Sequence, residues 1–186
     1  MQKWQLLSKT DVSPSAHFPI EKRVYKLPNG KIIDDFFVTT VADVAKIIPV
    51  TKDKKLVLAK QFKPGANEIV LEFPAGRLDA KHTDLLQLAQ AELEEEVGIK
   101  TELSNLKHFA TLTGFSTKGT EKVYFYLAVD LEFNGKQNFD DSEDIETVTM
   151  TFSEFEKAVV SGEIWNGQTI AGYFIAKEKF PEIFNS

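Results

Sequence analysis

Four glutamates, Glu92, Glu94, Glu95 and Glu96, crowd the end of an apolar-periodic stretch that closes on Val97 and Gly98. On a helix, Glu92 and Glu96 are stacked neighbours at i, i+4, and Glu95 lies beside them. Like charges at that spacing cost a helix roughly 0.2–0.5 kcal/mol per pair, and the macrodipole disfavours negative charge at a C-terminal end. Two readings are open. One is a solvated acidic face, the usual fate of a charge run. The other is a set of oxygen ligands for a hard divalent cation, Mg²⁺ or Mn²⁺, which would offset the repulsion. No His or Cys joins the cluster. A Pro74-Ala75-Gly76 turn precedes the helix, and its glycine could bring backbone close to the same ions.

The elements that must position these residues are marked by local signals. Val24 to Leu27 and Lys31 to Thr39 flank Pro28-Asn29-Gly30, a hairpin pattern. Val44 to Val50 and Lys55 to Phe62 flank a second turn, and Glu68 to Phe73 reads as a short strand ending at Pro74. The first long helix starts near Thr83 or Asp84, where Asp84 and Gln87 form a capping-box pattern. Leu85, Leu86, Ala89, Leu93 and Val97 make its apolar stripe, and Gly98 suits the C′ position. Strand patterns resume at His108 to Thr113, Lys122 to Phe133 and Thr147 to Phe152. An acidic loop, Asp140-Asp141-Ser142-Glu143-Asp144, lies between the last two. Ser153 with Glu156 is expected to open a short helix stopping near Gly162, and Thr169 to Phe180 a final one ended by Pro181. The sum is an α+β fold, a mixed sheet with helices packed on it.

Composition narrows the function classes. A chain of 186 residues suits one domain with a small N-terminal extension. The net charge of −6, from 22 basic and 28 acidic residues with no basic stripe, argues against nucleic acid as a partner. The absence of cysteine excludes a disulfide framework, a thiol nucleophile and a thiolate metal site. No apolar run reaches the roughly 18 residues of a membrane span and no signal-peptide pattern opens the chain, so no membrane association and a cytoplasmic location are expected. His17, His82 and His108 are scattered and form no ligand pattern.

At this point the residues carry a family resemblance. The segment from Gly76 to Ile99 resembles a Nudix box, written G-x5-E-x7-R-E-U-x-E-E-x-G-U with U aliphatic. Glu92, Leu93, Glu95, Glu96, Gly98 and Ile99 match its C-terminal half, and Gly76 is the opening glycine. Gly76 lies one residue too far upstream, which places an insertion around Ala80 to His82. Thr83 stands where the box has its first Glu, and Ala91 where it has Arg. The joint loss suggests a linked replacement, with Thr83 capping the helix. Beyond the box, LPNGKIIDDFFV, LAKQFKPGANEIVLEFPAGRLD, TGFSTKGTEKVYFYLA, SEDIE and GEIWNGQTIAGYFIA are similar to the ADP-ribose pyrophosphatase branch, in the same order.

That resemblance implies a Nudix fold, an α/β/α sandwich around a mixed sheet. It divides the chain into an N-terminal β segment over 1–42, used for homodimerisation, and a hydrolase domain over 43–186. It implies Mg²⁺- or Mn²⁺-dependent hydrolysis of the pyrophosphate bond in ADP-ribose or a related nucleoside diphosphate sugar. It makes Glu92 and Glu96 direct metal ligands, Glu95 a ligand directly or through water, and the Ala75 carbonyl a further one. In the acidic loop, Glu143 completes metal coordination and Asp141 holds the position of a general base. Either takes the water's proton, with Glu143 placed ahead. Lys63 and Arg77 are candidates to meet phosphate or ribose oxygens alongside Gly76. Glu72 is a candidate to accept from ribose hydroxyls, or to form a cross-strand ion pair. Phe36, Phe37 or Phe115 would stack on a base, or belong to the core. Trp4 and Trp165 are expected at edges or in a dimer interface. Two alternatives remain: a Nudix hydrolase for GDP-mannose, FAD or a dinucleoside polyphosphate, and a catalytically weak nucleotide-binding protein.

Overall fold

A computed structural model describes residues 1–139 and 144–184. The chain forms two compact units, 1–43 with 113–122, and 44–112 with 123–186.

In the first unit, β1 (Gln5–Asp11), β2 (Ile20–Lys26) and β3 (Ile32–Thr39) form an antiparallel sheet in that order. The β2–β3 hairpin turns at the expected site, where Asn29 Oδ1 accepts from the Lys31 N–H at 3.1 Å. Trp4, Tyr25 and Phe36 meet edge to face, with ring centroids 5.6 to 6.1 Å apart. Lys118 sits 3.6 Å over the Phe36 ring. All of β1 is exposed, Leu6 and Leu7 included.

The second unit is built on β4 (Val44–Thr51), β5 (Lys55–Lys63), β6 (Glu68–Glu72), β7 (Ala75–Arg77), β8 (Lys107–Thr113), β9 (Lys122–Leu131) and β10 (Ile145–Thr151). Among the described residues these make one sheet in the order β10-β5-β4-β9-β8, with β6 added to β5 and β7 to β4. It is mixed: β4 runs parallel to β9 and antiparallel to β5 and β7. The central runs of β4, β5 and β9 (47–50, 56–59 and 125–128) are apolar and buried because both their faces are covered. Ala45, Ile47, Val57, Tyr126 and Ala128 face one core, filled by Leu88, Ala89, Leu93 and Val97 of α1 (Leu85–Val97). Ile48, Val50, Leu56, Leu58, Phe125 and Leu127 face the other. That core is filled by Phe155 of α2 (Phe152–Ser161), Tyr173 of α3 (Gly167–Lys179) and Phe184 of α4 (Pro181–Phe184). The α+β sandwich expected from the sequence is the fold observed. Among the described residues, no helix is long and apolar enough to cross a membrane.

Helix ends follow local chemistry, with corrections. Asp84, not Thr83, caps α1: its Oδ1 accepts from the Leu86 N–H at 3.0 Å and the Gln87 N–H at 2.9 Å. Gly98 ends the helix with φ of 70°. Helix α2 starts earlier than Ser153, because Thr151 and Glu154 form the reciprocal capping box. That leaves Glu156 to bind across to α3, where the Tyr173 hydroxyl donates to it at 2.7 Å. Helix α3 begins at Gly167, two residues ahead of Thr169, because Asn166 Oδ1 accepts from the Thr169 N–H at 2.9 Å.

Candidate functional site

Strand β7 is only three residues long, and it brings the turn and the acidic helix together. It pairs with β4 through Val44–Arg77, Ala45–Gly76 and Lys46–Ala75, which lays Gly76 against α1. A side chain at Gly76 would have no room, since a Cβ there would lie 1.8 Å from Glu92 Oε1. The glycine therefore admits the carboxylate. One turn on, Glu96 is 4% exposed, and its Oε2 accepts from the Ala75 N–H at 3.0 Å. Glu95 is a third exposed and stands 3.9 Å from Lys81 Nζ. Beyond the helix, the Asn138 N–H donates to the Glu95 carbonyl at 3.0 Å. The Gln137 amide reaches the Glu96 carbonyl at 2.7 Å and Thr147 Oγ1 at 2.9 Å, tying the helix exit to β10.

Beside β7 opens a cleft of about 550 Å³ whose walls include Lys46, Lys63, Glu72, Ala75, Gly76, Arg77 and Glu92. Glu72, 5% exposed, sits in a buried polar network. Its Oε2 accepts from Lys46 Nζ at 2.7 Å and Asn166 Nδ2 at 3.2 Å, and its Oε1 forms an ion pair with Lys63 Nζ at 2.9 Å. Burial pushes the Glu72 carboxyl up. The charges and hydrogen bonds of Lys46 and Lys63 more than offset this and hold it below its ordinary value. The network holds two lysines against one carboxylate, so it presents positive charge to the cleft within an acidic protein.

The structure thus brings together Gly76, Glu92, Glu72, Lys63, Arg77 and the backbone of Ala75, with Glu96 behind them. Glu72 is the ion-paired residue the sequence left as one of two options. Asp141 and Glu143 lie outside the described residues. Phe37 and Phe115 belong to the first unit, where both are exposed. Trp165, 49% exposed, lines the cleft with Asn166 and Gln168. Sequence reasoning passed over Lys46, which hides in an apolar strand although it is 2% exposed; the only signal was a charge inside a run otherwise buried on both faces. The insertion before α1 closes as a tight turn, with Asp79 Oδ1 accepting from the N–H groups of Lys81 at 2.9 Å and His82 at 2.6 Å.

Among the described residues, no three acidic or imidazole groups already converge on one point. The donor set nevertheless fits a hard cation. It consists of carboxylates on successive turns of one helix, one of them buried, beside a glycine that leaves space only for an oxygen.

Comparison with known proteins agrees with this architecture. The model of the NUDIX domain family matches residues 41–171. The chain is 32% identical over 146 residues to the ADP-ribose pyrophosphatase of Bacillus subtilis (strain 168), covering 77% of this chain and 76% of that protein. It is 30% identical over 149 residues to the methanol dehydrogenase activator of Bacillus methanolicus, covering 78% and 77%. It is 28% identical over 171 residues to the ADP-ribose pyrophosphatase of Mycobacterium tuberculosis (strain ATCC 25618 / H37Rv), covering 91% and 81%. The crystal structure of an ADP compounds hydrolase shares the fold, with a TM-score of 0.84 at 20% identity over 98% of this chain and 96% of that one.

Proposed function

The chain belongs to the NUDIX domain family, and on that premise we propose that it hydrolyses the pyrophosphate bond of ADP-ribose or a related nucleoside diphosphate sugar. Water adds to one phosphorus, the bridging P–O bond breaks, and a nucleoside monophosphate and a sugar phosphate leave. The observation that carries the reading is the meeting of a carboxylate-bearing helix with a cationic cleft across Gly76. Lys63 and Arg77 line that cleft and would bind the diphosphate oxygens, with Lys46 adding charge from beneath. Glu92, Glu95, Glu96 and the Ala75 carbonyl would hold Mg²⁺ or Mn²⁺, which supplies Lewis-acid polarisation of the phosphoryl oxygens and screens the two negative charges. Glu143, with Asp141 as the other candidate, takes the proton of the attacking water.

A turnover screen over ADP-ribose, GDP-mannose, FAD and dinucleoside polyphosphates, with and without Mn²⁺, tests the proposal. AMP and ribose 5-phosphate are expected from ADP-ribose only with the metal; no product from any of them would refute it. Thr83 and Ala91, which replace two supporting charges of the box, favour a second reading as a nucleotide-binding protein with weak catalysis. That reading predicts thermal stabilisation by ADP-ribose without product over hours.

Gly76→Ala gives a sharper check. The added methyl displaces the Glu92 carboxylate by an ångström or more, and a shift of that size costs roughly 100-fold in rate. The expected loss is in kcat/KM at unchanged fold, read by circular dichroism alongside turnover. A variant with wild-type activity would detach Gly76 from the site.

The exposed strand β1, which carries Leu6 and Leu7 in solvent, supports a homodimer built through the N-terminal segment. Sedimentation at micromolar concentration is expected to give a dimer, and a monomer would exclude it.

A further inference from the structure

One wall of the cleft is not used by the diphosphate chemistry. Trp165 lines it and is 49% exposed, although an indole is a large apolar group that folding ordinarily buries. Its backbone is fixed on both sides. Ile164 is fully buried and donates its N–H to the Ala158 carbonyl at 3.0 Å. Asn166 caps α3 through Oδ1, and its Nδ2 donates to Glu72 Oε2 at 3.2 Å. A rigid stretch therefore carries a half-wet aromatic ring beside the polar network that faces the substrate's charge.

We propose that Trp165 is the face on which the nucleobase of the substrate stacks. The inference rests on the nucleoside diphosphate reading and adds the residue that engages the base. Stacking accepts any base, because each has a π-face. The site would thus select nucleotides as a class, leaving discrimination among bases to other contacts. The amide of Asn166 caps α3 and holds Glu72. Its part is to position the tryptophan.

Trp4 and Trp165 are the two tryptophans of the chain, so Trp4→Phe leaves Trp165 as the single indole reporter. Metal-free Trp4→Phe protein is titrated with AMP and, separately, with ribose 5-phosphate. AMP is expected to quench the Trp165 emission along a saturating curve, and ribose 5-phosphate, which has no base, to leave it unchanged. In turnover assays, Trp165→Ala should raise the KM for ADP-ribose roughly 5- to 150-fold, the span of base–aromatic stacking, with kcat within about threefold. Trp165→Phe should restore most of the affinity. Emission unmoved at AMP concentrations that inhibit the enzyme would overturn the proposal, as would an unchanged KM in Trp165→Ala. If the wild type cleaves no nucleoside diphosphate sugar, the reaction assigned above fails. AMP quenching of Trp165 would still support the base platform.

Discussion

Replacing Glu96 with glutamine is expected to lower kcat/KM by roughly 10²- to 10³-fold while the unfolding midpoint stays within a few degrees. The two effects separate because of where Glu96 sits. Its Oε2 accepts from the Ala75 N–H, and a glutamine carbonyl of the same length can accept the same bond. Volume is conserved, so the core face of α1 keeps its packing. What disappears is one negative charge from a crowded pair at i, i+4, and losing that repulsion is neutral or mildly favourable for the helix. Catalysis loses more. A metal site that stabilises developing phosphate charge supplies several kcal/mol, and each 1.36 kcal/mol is tenfold in rate. Turnover within twofold of wild type would remove Glu96 from the chemistry.

The second large effect is on stability. Lys46→Met is expected to destabilise the fold by about 3–5 kcal/mol, the typical cost of removing one partner from a buried ion pair. For a chain of this length that corresponds to a fall in Tm on the order of 10 °C. The reason is Glu72, which is left buried with only the partly exposed Lys63 and Asn166. The pH dependence carries a sign that distinguishes this cause from lost packing. In the wild type the folded carboxyl of Glu72 lies below its ordinary value, so its contribution is present above the unfolded pKa. That contribution is lost as pH falls through the folded one. Without Lys46 the burial that pushes this carboxyl up is opposed by Lys63 and Asn166 alone, so the folded value rises relative to wild type and the variant should regain part of its deficit on going from pH 7 to pH 5. Lys46→Met combined with Glu72→Gln should be more stable than Lys46→Met alone, since the double variant buries no unpaired charge. Chemical denaturation at several pH values reads both. A deficit that grows steadily with acidity would contradict the account.

What the sequence made legible was local. Asp84 and Gly98 bracket α1 because capping is decided within a few residues, and the Asn29-Gly30 turn fixes its hairpin for the same reason. The i, i+4 spacing of Glu92 and Glu96 places both on one helix face whatever surrounds them. The start of α2 was missed because two overlapping cap patterns compete. Thr151 wins over Ser153 because starting there puts Phe155 into the core.

Contacts made across the fold were not legible. Lys46 lies in β4 among residues buried on both faces, so alternation alone does not say that its side chain meets Glu72, 26 positions away. Trp165 reads as a packing residue until α3 is capped by Asn166 and the cleft is formed. Strand β7 is too short to show a period, and the crowding of Gly76 against Glu92 exists only once β7 pairs with β4. Resemblance to the box anticipated that meeting; the geometry supplies the reason for the glycine.

The central claim is that the carboxylates of α1 gather a divalent cation beside the Gly76 turn, and crystals grown with Mn²⁺ test it most directly. Anomalous density about 2 Å from carboxylate oxygens of Glu92 and Glu96 is the predicted result. Ordered, well-occupied side chains there with no anomalous peak, under conditions in which the enzyme is saturated with manganese, would contradict it.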